Sequence, residues 1–300
     1  MDTGLERSVM HKESPAADKH EHWDIVLAPK SSFLKLNLKE VWRYRDLMWL
    51  FVRRDFVAQY KQTILGPVWH IIQPLLTTLV FLFLFGKVAK IGTDGIQPPI
   101  LFYMAGITIW NYFAACLTST STTFTANAAI FGKVYFPRLV IPLSVVISNI
   151  IRFGIQFGLL LVFMIFYSIK GFPIQWSLNW LYIPLLVLVM AGIGLGMGII
   201  ISSLTTKYRD LALLLAFAVQ LGMYATPIAY PMSYLKGKNF EWVLQINPLS
   251  PIAEAFRYCL FGKGTVTLQG LAYSLGFTVL VMVLGTLIFS KVEKDFMDTV

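Results

Sequence analysis

Six long apolar segments restrict what this chain can fold into. They lie at about residues 67–86, 100–125, 139–167, 180–203, 211–227 and 268–290. Because a helix rises 1.5 Å per residue, about 20 apolar residues cross a hydrocarbon core roughly 30 Å thick. Charged residues make up 14% of the chain, against about a quarter in a soluble domain. We therefore expect an all-α polytopic membrane protein with six transmembrane helices.

The basic residues predict that both ends of the chain lie in the cytoplasm. Eleven Lys and Arg residues precede Gly66, and basic segments stay on the cytoplasmic side. The other segments expected inside carry Lys133, Arg138, Lys207, Arg209, Lys291 and Lys294. Four of the basic residues expected outside share one long segment, residues 228–266, and long segments count less in this rule. The net charge of +9 thus indicates membrane orientation rather than nucleic-acid binding.

Residues 1–38 predict a cytoplasmic tail. The first 30 are polar and of mixed charge, without the apolar region of a cleavable signal peptide. His20, Glu21, His22 and Asp24 are metal-ligand types, but a short tail gives them no fixed geometry, so we expect no metal site. Residues 291–300 are expected to form a second charged tail in the cytoplasm.

Residues 39–66 predict an amphipathic helix that lies on the membrane surface and precedes the six-span domain, residues 67–290. Its apolar side chains recur at near-helical spacing: Val41, Trp42, Leu47, Met48, Leu50, Phe51, Phe56 and Val57. Its basic side chains are Arg43, Arg45, Arg53, Arg54 and Lys61. Two interpretations stay open, a plain anchor in the lipid headgroups and a docking collar that transmits movement from a cytoplasmic partner.

A polar stripe runs along the third predicted span. Asn149, Arg152 and Gln156 are spaced i, i+3 and i+7, which places them on one helix face. An arginine inside a span is costly unless it is hydrated or paired. We expect the stripe to face the bundle interior, either as a hydrogen-bond network or as the lining of a water-filled path. His70 and Gln73 lie near the cytoplasmic start of the first span, and for His70 we expect a capping or packing role.

Glycines in the fourth span predict close helix packing. The run Gly192 to Gly198 follows no strand and lies in an apolar segment, so it is not a phosphate-binding loop. The two cysteines are far apart in sequence. We expect Cys116 to be an apolar span residue and Cys259 to be a free thiol in a loop.

The exterior segment, residues 228–266, is too apolar for a simple loop. We expect two short re-entrant or surface helices here, dipping into the outer leaflet or closing over an exit. Ser250, Pro251 and Glu254 predict the start of one of them, with Ser250 as its cap.

The acidic residues separate the function classes. Between Phe56 and Ser290 only Asp94, Asp210, Glu241 and Glu254 occur, and all four are expected in loops. A proton-coupled or sodium-coupled transporter usually needs an ionisable group at the midplane, and a membrane-embedded glycan or lipid enzyme usually needs a carboxylate or a metal. No nucleotide-binding P-loop occurs in the sequence. We expect a non-enzymatic transport protein that carries no cofactor itself and depends on a partner for energy.

Four stretches resemble one family. They are YRDLMWLFVRRDFVAQYKQTILGPVWHIIQPLLTTLVFLFLFG (44–86), SSLTTKYRDL (202–211), TPIAYP (226–231) and NPLSPIAEAFRY (247–258). They resemble the permease subunit of bacterial ABC-2 exporters, above all those for O-antigen, capsular polysaccharide or teichoic acid. The resemblance covers roughly residues 40–290.

The resemblance implies a homodimer in the bacterial inner membrane, joined to two ATP-binding cassette subunits that bind ATP and Mg²⁺. The substrate would be a glycan or polyol-phosphate chain on a polyprenyl pyrophosphate lipid. Residues 126–138 would be a coupling segment that contacts the ATPase. An ABC-2 exporter of drugs or small lipids is the alternative within the same superfamily.

The site residues expected from this resemblance form two groups. Aromatic faces stack on sugar rings, so the substrate path would use Phe81, Phe85, Trp110, Tyr112, Phe113 and Tyr224, with the stripe Asn149, Arg152 and Gln156. The basic group would meet the ATPase, a lipid pyrophosphate or membrane lipids through Arg43, Arg45, Arg53, Arg54, Lys61, Lys133 and Arg138.

Overall fold

The computed structural model describes residues 38–61, 66–131, 136–174, 177–206, 208 and 210–297. Over these ranges the regular secondary structure is helical and contains no strand, which confirms the all-α prediction. Nearly all of the predicted N-terminal tail, with His20, Glu21, His22 and Asp24, lies outside the described residues. The same holds for Lys133, Lys207 and Arg209.

Twelve α-helices lie in the described ranges. In chain order they are α1 (Leu38–Arg43), α2 (Arg45–Tyr60), α3 (Trp69–Phe81), α4 (Pro99–Ser121), α5 (Thr123–Ala126), α6 (Ala128–Phe131), α7 (Val140–Ile169), α8 (Ile183–Thr205), α9 (Leu211–Ala225), α10 (Glu241–Ile246), α11 (Leu249–Phe261) and α12 (Leu268–Met297). A π-helical segment, Leu82–Val88, extends α3. Short 3₁₀ turns occur at Gly66–Val68, Leu178–Tyr182 and Met232–Leu235. Most of the predicted tail at residues 291–300 continues α12.

Five helical segments of the described chain are long and apolar enough to cross a membrane. They are Trp69–Val88, Pro99–Ser121, Val140–Ile169, Leu178–Thr205 and Leu268–Lys291. The other predicted span, 211–227, is the apolar helix α9, whose 15 residues give a length of only about 22 Å. This helix ends because Thr226 takes an extended conformation before Pro227, as residues that precede proline do.

Helix α4 is the most buried of these five segments. It packs against α3, α7 and α8, and α8 packs in turn against α12. The outer faces of the surrounding helices expose large apolar side chains, among them Val162, Leu188 and Leu284. Apolar side chains of this kind are suited to contact with lipid tails, and a helix bonds most of its backbone polar groups internally.

The glycines of α8 allow close packing on two sides, as predicted. A Cβ added at Gly198 would lie 2.5 Å from Thr120 Cβ of α4, and one added at Gly194 would lie 2.8 Å from Cys116 Cβ. On the other side, a Cβ at Gly192 would lie 2.6 Å from Thr278 Cγ2 of α12. Helix α8 therefore approaches both neighbours at distances that only glycine permits.

The predicted surface helix is interrupted. At Tyr44 the chain turns between α1 and α2, and α2 ends at Tyr60 rather than continuing to residue 66. Phe51 and Val52 are buried, whereas Trp42 and Trp49 are about two-thirds exposed (66% and 64%). Because α2 packs against α7, the apolar residues of α1 and α2 divide between the bundle and an outward face.

Residues 228–266 contain two short α-helices, α10 and α11, with Asn247 and Pro248 between them. Two details of the prediction were wrong. Ser250 lies inside α11 rather than capping it, and the Asn247 Oδ1 atom accepts a hydrogen bond of 2.9 Å from the Leu249 backbone N–H instead. Cys259 lies buried in α11 and not in a loop, because α11 packs against α4, α8 and α12.

Candidate functional site

A polar cavity of about 200 Å³ lies between α3, α4 and α7. Its lining comprises His70, Gln73 and Pro74 of α3, then Asn111, Tyr112 and Ala115 of α4, and finally Asn149, Arg152, Phe153 and Gln156 of α7. The stripe predicted from spacing therefore faces a cavity inside the bundle. His70 and Gln73, which the sequence places near the start of the first span, line the same cavity.

Helix α7 presents its polar residues to this cavity because they recur on one face. Asn149 and Gln156 are buried, with 2% and 9% of their surface exposed, and Arg152 is partly buried. The Gln156 Oε1 atom accepts a hydrogen bond of 3.2 Å from Asn111 Nδ2 on α4. This bond ties α7 to α4 at one edge of the cavity.

Two buried polar groups of the cavity wall, the Asn149 Nδ2 group and the Tyr112 hydroxyl, make no hydrogen bond to a nitrogen or oxygen atom of the described residues. Their partner is the thiol of Cys116 on α4. Sulfur is a weak acceptor. The lining contains no carboxylate; its four amides offer both donors and acceptors, and the guanidinium of Arg152 supplies a permanent positive charge.

The aromatic residues predicted for the substrate path do not form one surface. Tyr112 contributes to the cavity and contacts Phe153, with ring centroids 5.3 Å apart. Phe81 instead contacts Phe85 at 5.3 Å and Tyr224 at 6.4 Å, in a separate cluster between α3 and α9.

Trp110 and Phe113 lie in the core of the bundle. Their ring centroids are 5.4 Å apart, and both side chains are 4% exposed. Spacing along α4 could not separate these two residues from Tyr112, because that helix is buried on nearly all sides.

The predicted basic residues also divide. Arg43, Arg45 and Arg53 are exposed, as is Lys61, while Lys133 lies outside the described residues. Arg138 is buried, with its guanidinium 5.5 Å from the centre of the Phe131 ring. The charge of Arg138 is therefore not presented on the surface.

Helix α2 is joined to the predicted coupling segment, residues 126–138. Arg54 Nη2 donates a hydrogen bond of 3.3 Å to Asn127 Oδ1, and it also pairs with Asp55 Oδ1 at 2.8 Å. Phe51 of α2 contacts Phe136 with ring centroids 5.8 Å apart. Helix α2 thus packs against the described parts of this segment at Asn127 and Phe136.

A row of aromatic rings continues from this contact into the last span. Phe136 contacts Phe131, and Phe131 contacts Phe124, both at 5.8 Å between ring centroids. Phe124 then stacks on Phe289 of α12 at 4.6 Å. We call these five residues, Phe51, Phe136, Phe131, Phe124 and Phe289, the aromatic row.

Helix α11 contains a buried ion pair that was not predicted from the sequence. Glu254 was expected in a loop, but it is 1% exposed, and its Oε1 atom lies 3.2 Å from Nη1 of Arg257, which is fully buried. Burial lowers the pKa of Arg257, and the carboxylate of Glu254 acts in the opposite direction. The available signal was the i, i+3 spacing of an acid and a base in an otherwise apolar helix.

This ion pair ties three parts of the chain together. Arg257 Nη2 donates a hydrogen bond of 2.9 Å to the Ile228 carbonyl, and its guanidinium lies 3.8 Å from the centre of the Phe102 ring of α4. The Met232 N–H donates a bond of 3.0 Å to Glu254 Oε1. Helix α11, the segment after α9 and α4 are therefore held at one point.

These features define a class, a multi-pass helical membrane protein with a polar cavity inside its bundle. Comparison with known proteins is more specific. The ABC-2 type transporter family matches residues 46–261, and the chain belongs to this family. The match confirms the resemblance predicted from the sequence.

Individual relatives agree with the family assignment. The chain is 30% identical over 254 residues to the O-antigen export system permease protein RfbA of Klebsiella pneumoniae, covering 84% of this chain and 94% of that protein. It is 24% identical over 266 residues to the protein of the same name from Myxococcus xanthus, covering 88% of this chain and 98% of that protein.

Proposed function

We propose that this chain is the permease subunit of an ATP-driven ABC exporter that moves a lipid-linked polysaccharide of the O-antigen type out of the cytoplasm. The observation that carries the proposal is the 30% identity to an O-antigen export permease over 84% of the chain. The apolar helices supply a membrane domain, and the sequence contains no P-loop. ATP and Mg²⁺ therefore belong to a separate subunit.

In the proposed assembly, two copies of the chain combine with two ATP-binding cassette subunits in the bacterial inner membrane. Both chain ends lie in the cytoplasm, as the basic residues before Gly66 predict. Helix α9, with the residues that follow it, completes a sixth span. The exposed Arg43, Arg45, Arg53 and Lys61 then meet lipid headgroups or the ATPase subunits.

Helix α2 and residues 126–138 receive the movement of the ATPase. The hydrogen bond from Arg54 to Asn127 and the contact of Phe51 with Phe136 support this assignment. Because these two segments pack together, displacement of one displaces the other. The aromatic row offers a route to α12.

The proposal is tested by deleting the gene for this chain from its host. The expected result is accumulation of a lipid-linked glycan at the cytoplasmic face and loss of surface polysaccharide, both restored by the intact chain. Normal surface polysaccharide after deletion would contradict the proposal. Unchanged glycan with cytoplasmic accumulation of a small lipid or drug would favour the alternative ABC-2 substrate class.

A second experiment separates a transmission role of α2 from simple anchoring. Reversal of charge at Arg53 with Arg54 should reduce export several-fold at unchanged membrane levels, because Arg54 contacts Asn127. Charge reversal at Lys170, at the end of α7, is the matched control and should leave export unchanged. Full export by the Arg53 and Arg54 variant would contradict the role of α2.

A further inference from the structure

We propose that residues 233–245 of the exterior segment form a lid, which one hydrogen bond holds closed against the loop between α3 and α4. This bond, which we call the clasp, runs from Ser233 Oγ to Asp94 Oδ1 and is 2.6 Å long. Release of the clasp opens the exterior face of the bundle for the exported polymer, a role that rests on the proposed function.

The chain immediately before the lid is fixed by a buried carboxylate. The Met232 N–H donates a hydrogen bond of 3.0 Å to Glu254 Oε1. Glu254 is 1% exposed and pairs with Arg257 of the same helix. Breaking the bond from Met232 would leave a buried acceptor without one of its donors. We therefore expect Met232 to stay in place when the lid moves.

The chain after the lid is fixed to α12 and α9. The Ile246 carbonyl accepts a hydrogen bond of 2.6 Å from the Tyr273 hydroxyl of α12. Asn247 Nδ2 donates a bond of 2.8 Å to the hydroxyl of Thr226, a buried residue at the end of α9. The lid therefore lies between two anchored points, and its middle is the part that can move.

The lid itself buries little of its surface. Leu244 is 1% exposed, whereas Phe240 and Trp242 are 65% and 58% exposed. Gly237 takes a left-handed conformation with a φ of 75°, and its N–H donates a bond of 2.8 Å to Glu241 inside the lid. Segments with few buried apolar contacts open locally at a small cost in free energy. We therefore expect the lid to open without unfolding of α11.

Asp94, the acceptor of the clasp, lies in a constrained turn. The Ile96 N–H donates a bond of 3.0 Å to the Thr93 carbonyl, and Thr93 Oγ1 donates one of 2.8 Å to the Ile96 carbonyl. Ile96 is 2% exposed and anchors the turn in the core, and the Lys263 ammonium donates a bond to the Gly95 carbonyl. The φ of Asp94 is 49°, which costs free energy in residues other than glycine and indicates that the surroundings impose it. The Asp94 carboxylate is thus a fixed point for the clasp.

The clasp itself is exposed. Water competes for both the hydroxyl of Ser233 and the carboxylate of Asp94, so the net contribution of this bond is small. The buried pair of Glu254 and Arg257 is much more costly to break. The closed and open lid should therefore be close in free energy, which allows a transport cycle to shift their populations.

Hydrogen exchange of the purified full-length chain in dodecyl maltoside tests the clasp without a transport measurement. We expect amides of residues 234–243 to be protected about tenfold less than those of α11, and several-fold less again in Ser233→Ala. The matched control is Thr265→Ala, which removes an exposed hydroxyl from the loop after α11 and should leave the lid unchanged. Protection of the lid equal to that of α11, or equal protection in the wild type and Ser233→Ala, would overturn the proposal.

A reversible lock tests the role of the lid in export. Asp94→Cys and Ser233→Cys are combined and bridged by a short bis-methanethiosulfonate, while the native Cys116 and Cys259 are buried. With the ATPase in proteoliposomes, we expect the bridged chain to export glycan about tenfold more slowly, because the lid cannot open. Dithiothreitol should restore export, and each single cysteine variant treated with the same reagent should export normally.

Two outcomes of the lock experiment count against the lid as a gate. They are full export by the bridged chain and a loss of export that reduction does not reverse. If the unbridged chain exports no glycan, the proposed function fails, while the exchange measurement still decides whether Ser233 holds the lid closed.

Discussion

Among single residues, mutation of Glu254 or Arg257 is expected to destabilise the fold most strongly. Both side chains are buried, and their hydrogen bonds reach the Ile228 carbonyl and the Met232 N–H. Removing one partner of a buried pair leaves an uncompensated charge, which costs more than the pair itself contributes.

Arg257→Met should therefore destabilise the protein by about 3–5 kcal/mol, because Glu254 then stays buried without a counter-charge. Glu254→Gln should be similarly harmful, and the double variant should be less destabilised than the sum of the two. Thermal unfolding of all four proteins in detergent gives the coupling energy. Additive effects within about 0.5 kcal/mol would show that the pair does not act as a unit.

Among the helices, α8 packs closely against α4 and α12 because its glycines have no side chains. Gly198 faces Thr120 of α4, whereas Gly192 faces Thr278 of α12. A methyl group at either position must push two helices apart, since the contacted atoms belong to Cβ and Cγ2 groups next to helix backbones.

Gly198→Ala should lower the free energy of unfolding by about 1–3 kcal/mol, as overpacking of a tight interface does. Gly154→Ala is the matched control, because a Cβ at Gly154 of α7 meets nothing within 4 Å. This control should be neutral or stabilising, as alanine favours a helix interior by roughly 1 kcal/mol over glycine. Equal melting temperatures for the two variants would contradict close packing at Gly198.

The aromatic row is the feature among the helices that bears most directly on the proposed coupling to an ATPase. Phe136→Ala removes a ring that contacts both Phe51 and Phe131. We expect ATP hydrolysis by the reconstituted complex to continue while glycan export falls several-fold. Phe83→Ala, at a position 58% exposed, is the control and should keep both activities. If Phe136→Ala retains full export, movement is not transmitted through this row.

At the scale of the whole molecule, the sequence predicted the helical membrane fold and the family. It also predicted six spans, whereas the described residues contain five helical segments long and apolar enough to cross a membrane. The polar stripe of Asn149, Arg152 and Gln156 was predictable because it depends only on helical spacing. Its neighbours on α3 and α4 were not, because tertiary packing decides which helices meet. Glu254 was misplaced for the same reason, since nothing local shows that α11 packs into the bundle.

The orientation of the chain in the membrane is predicted from its basic residues and can be measured by cysteine labelling. Cys116 and Cys259 are buried, so an introduced cysteine can be labelled against a low background. Lys236→Cys should react with a membrane-impermeant maleimide in intact spheroplasts. Arg43→Cys should react only after lysis. The opposite pattern would reverse the proposed topology.

We propose that this chain is a conduit driven by a separate ATPase. This role can be tested by measuring transport of lipid-linked O-antigen in proteoliposomes containing this chain, the candidate ATP-binding subunit, or both. We expect ATP-dependent translocation only when both are present. Translocation by this chain alone, or ATP-dependent translocation by the ATPase without it, would show that the chain is not such a conduit.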